Sequence, residues 1–357
     1  MIINIVGARP NFIKISPIIR ELNKYSIPNY LVHTGQHYDW NMSGTFFNEL
    51  DIPTPDKFLN VGSSSHAKQT SEIIEKFEKI CLELRPSLVL VVGDVNSTLA
   101  CALVASKLNI KVAHVEAGLR SFDRTMPEEI NRVLTDHMSD FLFVTEQSGL
   151  DNLATEGIAK SKVHFVGNCM IDTLIHSHKS AEKSTILEEN EITSKNYCLI
   201  TFHRPSNVDK IDNLKDIVSL INEVSQDLPV VFPIHPRTKK KIKEFGLNLN
   251  KKVLLLNPLP YLGFIKLLNH SKIVITDSGG IQEESTFLGI QCYTCRDNTE
   301  RPSTIDIGTN HLVGSNMKNI KENLTEILDE NFKEGSIPQF WDGQAAKRIV
   351  KILKDNI

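Results

Sequence analysis

The sequence has no uninterrupted apolar run near the roughly 18 residues that a membrane-spanning helix needs, which excludes a helical integral membrane protein. It also has no basic amino-terminal region. MIINIVGARPNF runs from an apolar stretch straight into Gly7, the pattern of a first buried strand and not of a signal peptide. Neither charge is in excess: 40 Lys and Arg against 43 Asp and Glu leave a formal net charge of −3, so no global field points to nucleic acid or an anionic membrane. The fingerprint G-x-G-x-x-G is missing, which removes the usual signal for a dinucleotide. Cysteine is sparse, with Cys81, Cys101, Cys169, Cys198, Cys292 and Cys295 mostly in apolar surroundings, as expected of reduced core thiols in a cytoplasmic protein. Cys292 and Cys295 form the single C-x-x-C. No second pair or neighbouring His pair completes a zinc set, and strand-like GIQCYTCRD lacks the helix N-terminus that activates redox cysteines. No tight His, Asp and Glu constellation suggests a metal site.

What is present is alternation. The 357 residues, 41% of them hydrophobic, suffice for about two domains. IINIVG precedes a helical stretch over 12–24. YLVHTG, a helical stretch over 68–84, LVLVVGD, helical ALVASKL, KVAHVEAG, FLFVTE and VHFVGN follow. After a break over 169–196, helical at first and then polar and charged, a second series opens: YCLITFHR, VVFPIHP, VLLLNP, IVITDSGG and QCYTC. Strands alternating with helices predict parallel sheets covered on both faces. The fold class is therefore α/β, two Rossmann-like doubly wound domains facing a central cleft, since ligands in such sheets bind at the carboxyl ends of the strands. The expected division is a first domain over 1–168, a connection over 169–196, a second domain over 197–340 and a terminal helix over 341–357. The two halves share architecture without a close internal sequence repeat.

Four groups of residues carry chemistry. GARPNFIK, residues 7–14, is a strand-to-helix turn: it offers backbone N–H groups and a favourable dipole to an anion, Arg9 adds a forked contact and Lys14 a point charge. TDSGGIQEE, residues 276–284, is a second such turn, with Ser278, Gly279 and Gly280 suited to a diphosphate and Glu283 or Glu284 to ribose hydroxyls. The third group is acidic. Asp94 ends VVGD, Glu116 ends AHVEAG, and Glu128 and Glu129 lie in MPEEINR; carboxylates sharing one cleft are equipped for general acid and base work. Glu129 reads as an ion-pair residue and Asp94 could simply cap a helix. The fourth group, His203-Arg204 and His235 with Arg237, ends two strands of the second half and can neutralise a departing diphosphate, although a lone histidine such as His235 is more often structural.

Taken together, GARPNFIK, VVGDVNSTLA, HVEAGLRSF, MPEEINR, FHR, TDSGGIQEE, RDNTERP and the late WDGQAA resemble the non-hydrolysing UDP-N-acetylglucosamine 2-epimerases, in order and over almost the full chain. The resemblance implies a GT-B-like fold, a terminal helix that returns to the first domain, a homodimer and a UDP-sugar substrate, with no cofactor. It implies removal of the C2 proton with expulsion of UDP, a 2-acetamidoglucal intermediate, and re-addition with proton return to the other face. By motif match, Asp94, Glu116 and Glu128 are the catalytic carboxylates and His203 assists near the diphosphate. Arg9, Ser278, Gly279 and Gly280 match diphosphate contacts, Glu284 the ribose-binding acid and Lys14 the basic residue of the first loop.

The chain departs from many members at Ala8 and Asn11, at Arg204-Pro205-Ser206-Asn207, and at Gln36-His37-Tyr38-Asp39 and Glu72, where regulated members hold a second substrate molecule. The resemblance therefore does not carry activation by substrate over to this chain. VHTGQHYDWNMS is also similar to branches that act on UDP-diacetamido-uronic acids or UDP-N-acetylfucosamine-type sugars, whereas Arg301-Pro302 favours UDP-GlcNAc. The competing readings are a GT-B glycosyltransferase, which needs an acceptor; a nucleotide-sugar sensor without catalysis; and a hydrolysing epimerase, which would release free ManNAc.

Overall fold

A computed structural model describes residues 1–35, 47, 49–314 and 332–357. The segment Gln36-His37-Tyr38-Asp39 lies outside the described residues. The chain forms two compact units, one of residues 1–176 with 339–357 and the other of residues 177–338.

The first unit is built on seven parallel strands: β1 (Ile2–Val6), β2 (Asn29–His33), β3 (Lys57–Phe58), β4 (Leu88–Val92), β5 (Lys111–Ala117), β6 (Phe141–Val144) and β7 (Val163–Phe165). Their order is β3-β2-β1-β4-β5-β6-β7. IINIV and LVLVV are buried at every position, as strands must be when helices cover both faces of a parallel sheet. One face packs Ile3, Ile5, Val89 and Val91 against Ile73, Phe77 and Ile80 of the helix His66–Leu84. That helix starts on a Ser65 side chain accepting the Lys68 N–H (3.3 Å) and stops at Arg85 in the left-handed region.

The terminal helix Ala345–Asn356 packs in this unit on the helix Arg9–Lys24. Asp172 accepts the Ala345 and Ala346 N–H groups (3.1 and 2.8 Å), and fully buried Trp341 donates to the Thr145 carbonyl (3.0 Å).

The second unit has six parallel strands: β8 (Cys198–Thr201), β9 (Val230–Pro233), β10 (Val253–Leu256), β11 (Ile273–Thr276), β12 (Gln291–Thr294) and β13 (Asn310–Leu312), in the order β10-β9-β8-β11-β12-β13. Its core sets Ile200, Phe202, Phe232 and Ile275 against Ile217 and Ile221 of the helix Ile211–Asp227. Both sheets are doubly wound and Rossmann-like. Strands β3 and β13, two and three residues long, are edge strands too short to show a period of two in sequence. The segment 169–196 is largely helical, with Cys169–Ala181 followed by Ile186–Glu189, and it buries Ile171, Leu174 and Leu187.

The strand order positions the functional turns. In the first unit the direction of winding reverses between β1 and β4, so the turns after them, Gly7-Ala8-Arg9 and Gly93-Asp94, flank the crevice where such sheets bind ligands. In the second unit it reverses between β8 and β11, which brings the Phe202-His203-Arg204 turn beside Asp277-Ser278-Gly279.

Candidate functional site

In the first unit the site begins with a turn that cannot spread. A Cβ on Gly7 would stand 2.3 Å from Ser97 Oγ and 2.8 Å from Thr34 Oγ1, so only glycine fits. The Asn11 side chain accepts the Gly7 and Ala8 N–H groups (3.2 and 2.8 Å) and donates to the Val92 carbonyl (2.9 Å), tying the end of β1 to the end of β4. Arg9 opens the helix, half-buried, with exposed Pro10 in its first turn.

Glu116 occupies an irregular place in β5. Val115 pairs with Phe143 and Ala117 with Val144, so Glu116 is the extra residue of a bulge, and its φ is 76°. A non-glycine residue in that region is strained, and a bulge of this kind re-aims a side chain. The buried Glu116 carboxylate forms an ion pair with the buried Lys14 ammonium. Gly93 lies against both: a Cβ there would meet Glu116 Oε2 and Lys14 Nζ at 3.4 Å.

Asp94 takes two bonds on Oδ2 from Arg132 Nε and Nη2 (3.0 and 2.7 Å). Arg132 also donates to Glu129 Oε2 (2.6 Å), which in turn accepts from the Ser121 N–H and hydroxyl (both 2.9 Å). Glu129 is thus a buried ion-pair residue, as its sequence setting suggested. Glu128 stands in the first turn of the helix Pro127–Met138, half-buried, with no hydrogen-bond or ionic partner among the described residues. Within β5, fully buried His114 meets Asp136 and the Gly93 carbonyl.

In the second unit Asp277 is the organising group. This fully buried carboxylate accepts the backbone N–H of His203 (3.0 Å) and of Arg204 (2.8 Å), the Asn207 amide (3.1 Å) and His203 Nδ1 (2.9 Å). Burial alone would raise its carboxyl; the bonds from His203 and the two backbone groups hold it below the ordinary value. The His203 ring stays 44% exposed, so its far edge is open. His235 caps its own helix, Nδ1 accepting the Arg237 N–H (3.2 Å), with its ring centre 6.0 Å from that of His203.

Ser278 is the N-cap residue of the helix Gly279–Leu288, and its side chain makes no capping bond there. Ser278, Gly279 and Gly280 are all partly exposed. A Cβ on Gly279 would stand 2.8 Å from Arg301 Nη1. Arg301 pairs with buried Glu283 (3.0 Å) and with Glu300 (3.3 Å), and Glu300 takes a two-pronged bond from Arg296 (2.6 and 2.9 Å). Burial and the neighbouring Arg296 cation press the Arg204 guanidinium below its ordinary value, opposed by Glu300 and Asp277. Glu284 accepts from buried Tyr261 Oη (3.0 Å).

Chemically, the first unit offers strand-end carboxylates set in fixed ion pairs. The second offers a histidine with one edge free, a helix start and a cluster of arginines, which is an anion-binding arrangement. Sequence reasoning missed Asn11, His114, Asp136, Arg132 and Asp277. HVEAG and TDSGG contained His114 and Asp277, but nothing local marks either as buried and paired. Cys292 and Cys295 are buried free thiols, and burial raises Cys292 to about 11 despite bonds with Ser285 and Thr294 that lower it. Among the described residues no cluster of three or more His, Cys, Asp or Glu suits a metal ion, and no helix is long and apolar enough to cross a membrane.

Known proteins match this arrangement over the full chain. The family model described as UDP-N-acetylglucosamine 2-epimerase matches residues 20–354. The UDP-N-acetylglucosamine 2-epimerase of Methanocaldococcus jannaschii is 46% identical over 358 residues, covering 98% of this chain and 97% of that protein. The UDP-2,3-diacetamido-2,3-dideoxy-D-glucuronate 2-epimerase of Pseudomonas aeruginosa is 41% identical, covering 99% of each. The crystal structure of the Methanocaldococcus jannaschii UDP-GlcNAc 2-epimerase in complex with UDP-GlcNAc and UDP is similar over 100% of both chains, with a TM-score of 0.93 at 46% identity.

Proposed function

The chain belongs to the UDP-N-acetylglucosamine 2-epimerase family, and we propose that it interconverts UDP-GlcNAc and UDP-ManNAc without hydrolysis. The relative named for UDP-GlcNAc is the more similar of the two compared, 46% against 41% for the uronic-acid enzyme, which favours the plain acetamido sugar.

The observation that carries the chemistry is Glu116, aimed by a strained bulge, ion-paired to Lys14, and set at the same sheet end as Asp94. A C2 proton is weakly acidic, so a fixed carboxylate must take it as the C1–oxygen bond to UDP breaks. The electron pair of the C2–H bond forms the C1=C2 double bond of 2-acetamidoglucal, and the anomeric oxygen leaves with UDP. In return, UDP oxygen re-adds to C1 while an acid delivers a proton to the opposite face of C2. Asp94, Glu116 and Glu128 are the carboxylates assigned to these transfers. Charge grows on the diphosphate, and the open edge of His203, the start of the helix Gly279–Leu288 and Arg9 are the donors assigned to it. His235 is assigned a place beside His203, and Glu284, oriented by Tyr261, the ribose hydroxyls.

Incubation with UDP-GlcNAc in D2O tests the reading. UDP-ManNAc with deuterium at C2 is expected. Free ManNAc as the main product would overturn it in favour of hydrolysis, and turnover that needs an acceptor sugar and puts no deuterium at C2 would favour a transferase. The same reading makes the protein a cytoplasmic homodimer. The six free cysteines suit a reducing compartment, and exposed Ile130 and Leu134, one turn apart on the helix Pro127–Met138, offer a face for a second copy. Light scattering giving a monomer mass would remove the dimer.

A further inference from the structure

We infer that His114 and Asp136 form a positioning pair that locks together the two turns carrying Asp94 and Glu116, with the His114 ring held as a doubly protonated cation. The inference rests on the reading of those acids as the proton-transfer groups.

The argument is an inventory of hydrogens. His114 Nδ1 lies 2.7 Å from Asp136 Oδ1 and Nε2 lies 2.8 Å from the carbonyl oxygen of Gly93. A backbone carbonyl only accepts. Asp136 already accepts the Gly118 N–H (3.0 Å) and Arg120 Nη1 (2.8 Å) on Oδ2. Burial alone would raise the Asp136 carboxyl, but the hydrogen bond from His114 and the Arg120 cation with its own bond hold it below the ordinary value, so it is ionised and carries no hydrogen. Both ring nitrogens therefore face acceptors. A neutral imidazole has one N–H and can serve only one of them; with both groups fully buried, a mismatched lone pair would face a carbonyl or a carboxylate at hydrogen-bond distance.

The charged neighbours complete the balance. Arg120 gives its remaining fork to Glu156 (2.7 and 2.8 Å), so the signs alternate along His114, Asp136, Arg120 and Glu156.

The consequence is geometric. Gly93, which accepts from His114, also donates its N–H to the Val115 carbonyl (3.0 Å), so the residue before Asp94 is pinned to β5 on both sides. Asp136 holds the Gly118 N–H two residues past Glu116, at the exit of the bulge. Gly93 also lies close to the Lys14–Glu116 pair, where a Cβ on it would stand 3.4 Å from Glu116 Oε2 and from Lys14 Nζ, so the turn that His114 holds borders that pair. His114 moves no proton to substrate; it keeps two acids in register.

The first test uses the intact wild-type protein. Long-range proton–nitrogen spectra of the 15N-labelled chain at pH 7.5, assigned by comparison with His114→Gln, should show both His114 ring nitrogens protonated; one protonated nitrogen overturns the inference. The second test is the His114→Gln variant, which has one donor group in place of two. The kcat for C2 exchange should fall about tenfold or more, with KM and UDP affinity within about twofold, because misplacement of reacting groups by an ångström is costly. Wild-type kcat in a folded variant, or a parallel loss of UDP affinity, overturns the positioning role. If His114→Gln does not fold, the spectra, assigned then by elimination among the other histidines, decide alone. If wild type shows no C2 exchange, the proposed function fails while the nitrogen measurement still stands.

Discussion

Asp277→Asn should separate the shape of the second unit's turn from its charge. The wild-type carboxylate serves four donors, three gathered on Oδ2 (His203 N–H, Arg204 N–H and the Asn207 amide), while Oδ1 takes His203 Nδ1 at 2.9 Å. Asparagine has one carbonyl oxygen, which will turn to the three-donor side. Its NH2 then faces His203 Nδ1, so that nitrogen must accept, and the ring is left neutral with its single N–H outward. A hydrogen bond to a charged group contributes about 1.5–3 kcal/mol. At about 1.4 kcal/mol per factor of ten, C2 exchange in D2O should slow by roughly 10- to 100-fold.

Stability gives a second readout. Because the Asp277 carboxyl is depressed in the fold, its contribution is present above the unfolded value near 4 and is lost as pH falls through the folded value. Asp277→Asn should abolish that acid-side loss. Exchange within threefold of wild type in a folded Asp277→Asn protein would refute the claim that this carboxylate sets the state of His203.

Three further outcomes are expected. Glu116→Gln should keep UDP affinity while losing most C2 exchange, since charge is removed with little change of shape; wild-type exchange would remove Glu116 from the mechanism. Lys14→Met strands the buried Glu116 carboxylate and should cost about 3 kcal/mol or more in denaturant melts, partly restored in the Lys14→Met/Glu116→Gln double variant; a double-variant loss equal to the sum of the two single losses would deny the coupling. Asp172, capping the terminal helix, is raised from 3.8 to about 6, chiefly by burial against the opposing bonds from Ala346 and Ala345. A raised folded value means its contribution is full below the unfolded value and is lost as pH rises through about 6, so wild type should lose up to about 3 kcal/mol relative to Asp172→Asn between pH 4 and 6.5; parallel pH profiles would contradict this.

The two doubly wound units were legible because buried parallel strands such as LVLVV and amphipathic helices have unmistakable periods, and because a glycine-bearing turn between strand and helix repeats the same local chemistry at Gly7 and at Gly279-Gly280. The edge strands Lys57–Phe58 and Asn310–Leu312 were not legible, being shorter than the pattern that would reveal them. Lys14 read as a phosphate contact from its loop, yet its ammonium lies on Glu116, a partner 102 residues away.

By itself, the sequence determined the element types, the strand-end acids and the turns that offer N–H groups to an anion, because these depend on residues within a few positions of one another. Only the tertiary structure decided which charges neutralise which. The pairs Lys14–Glu116, His114–Asp136 and His203–Asp277 join separate elements, and the left-handed backbone at Glu116 depends on the strand beside it. The physical reason is that the cost of burying a charge is set by what folding brings within about 3 Å of it, and no local pattern of residues carries that distance.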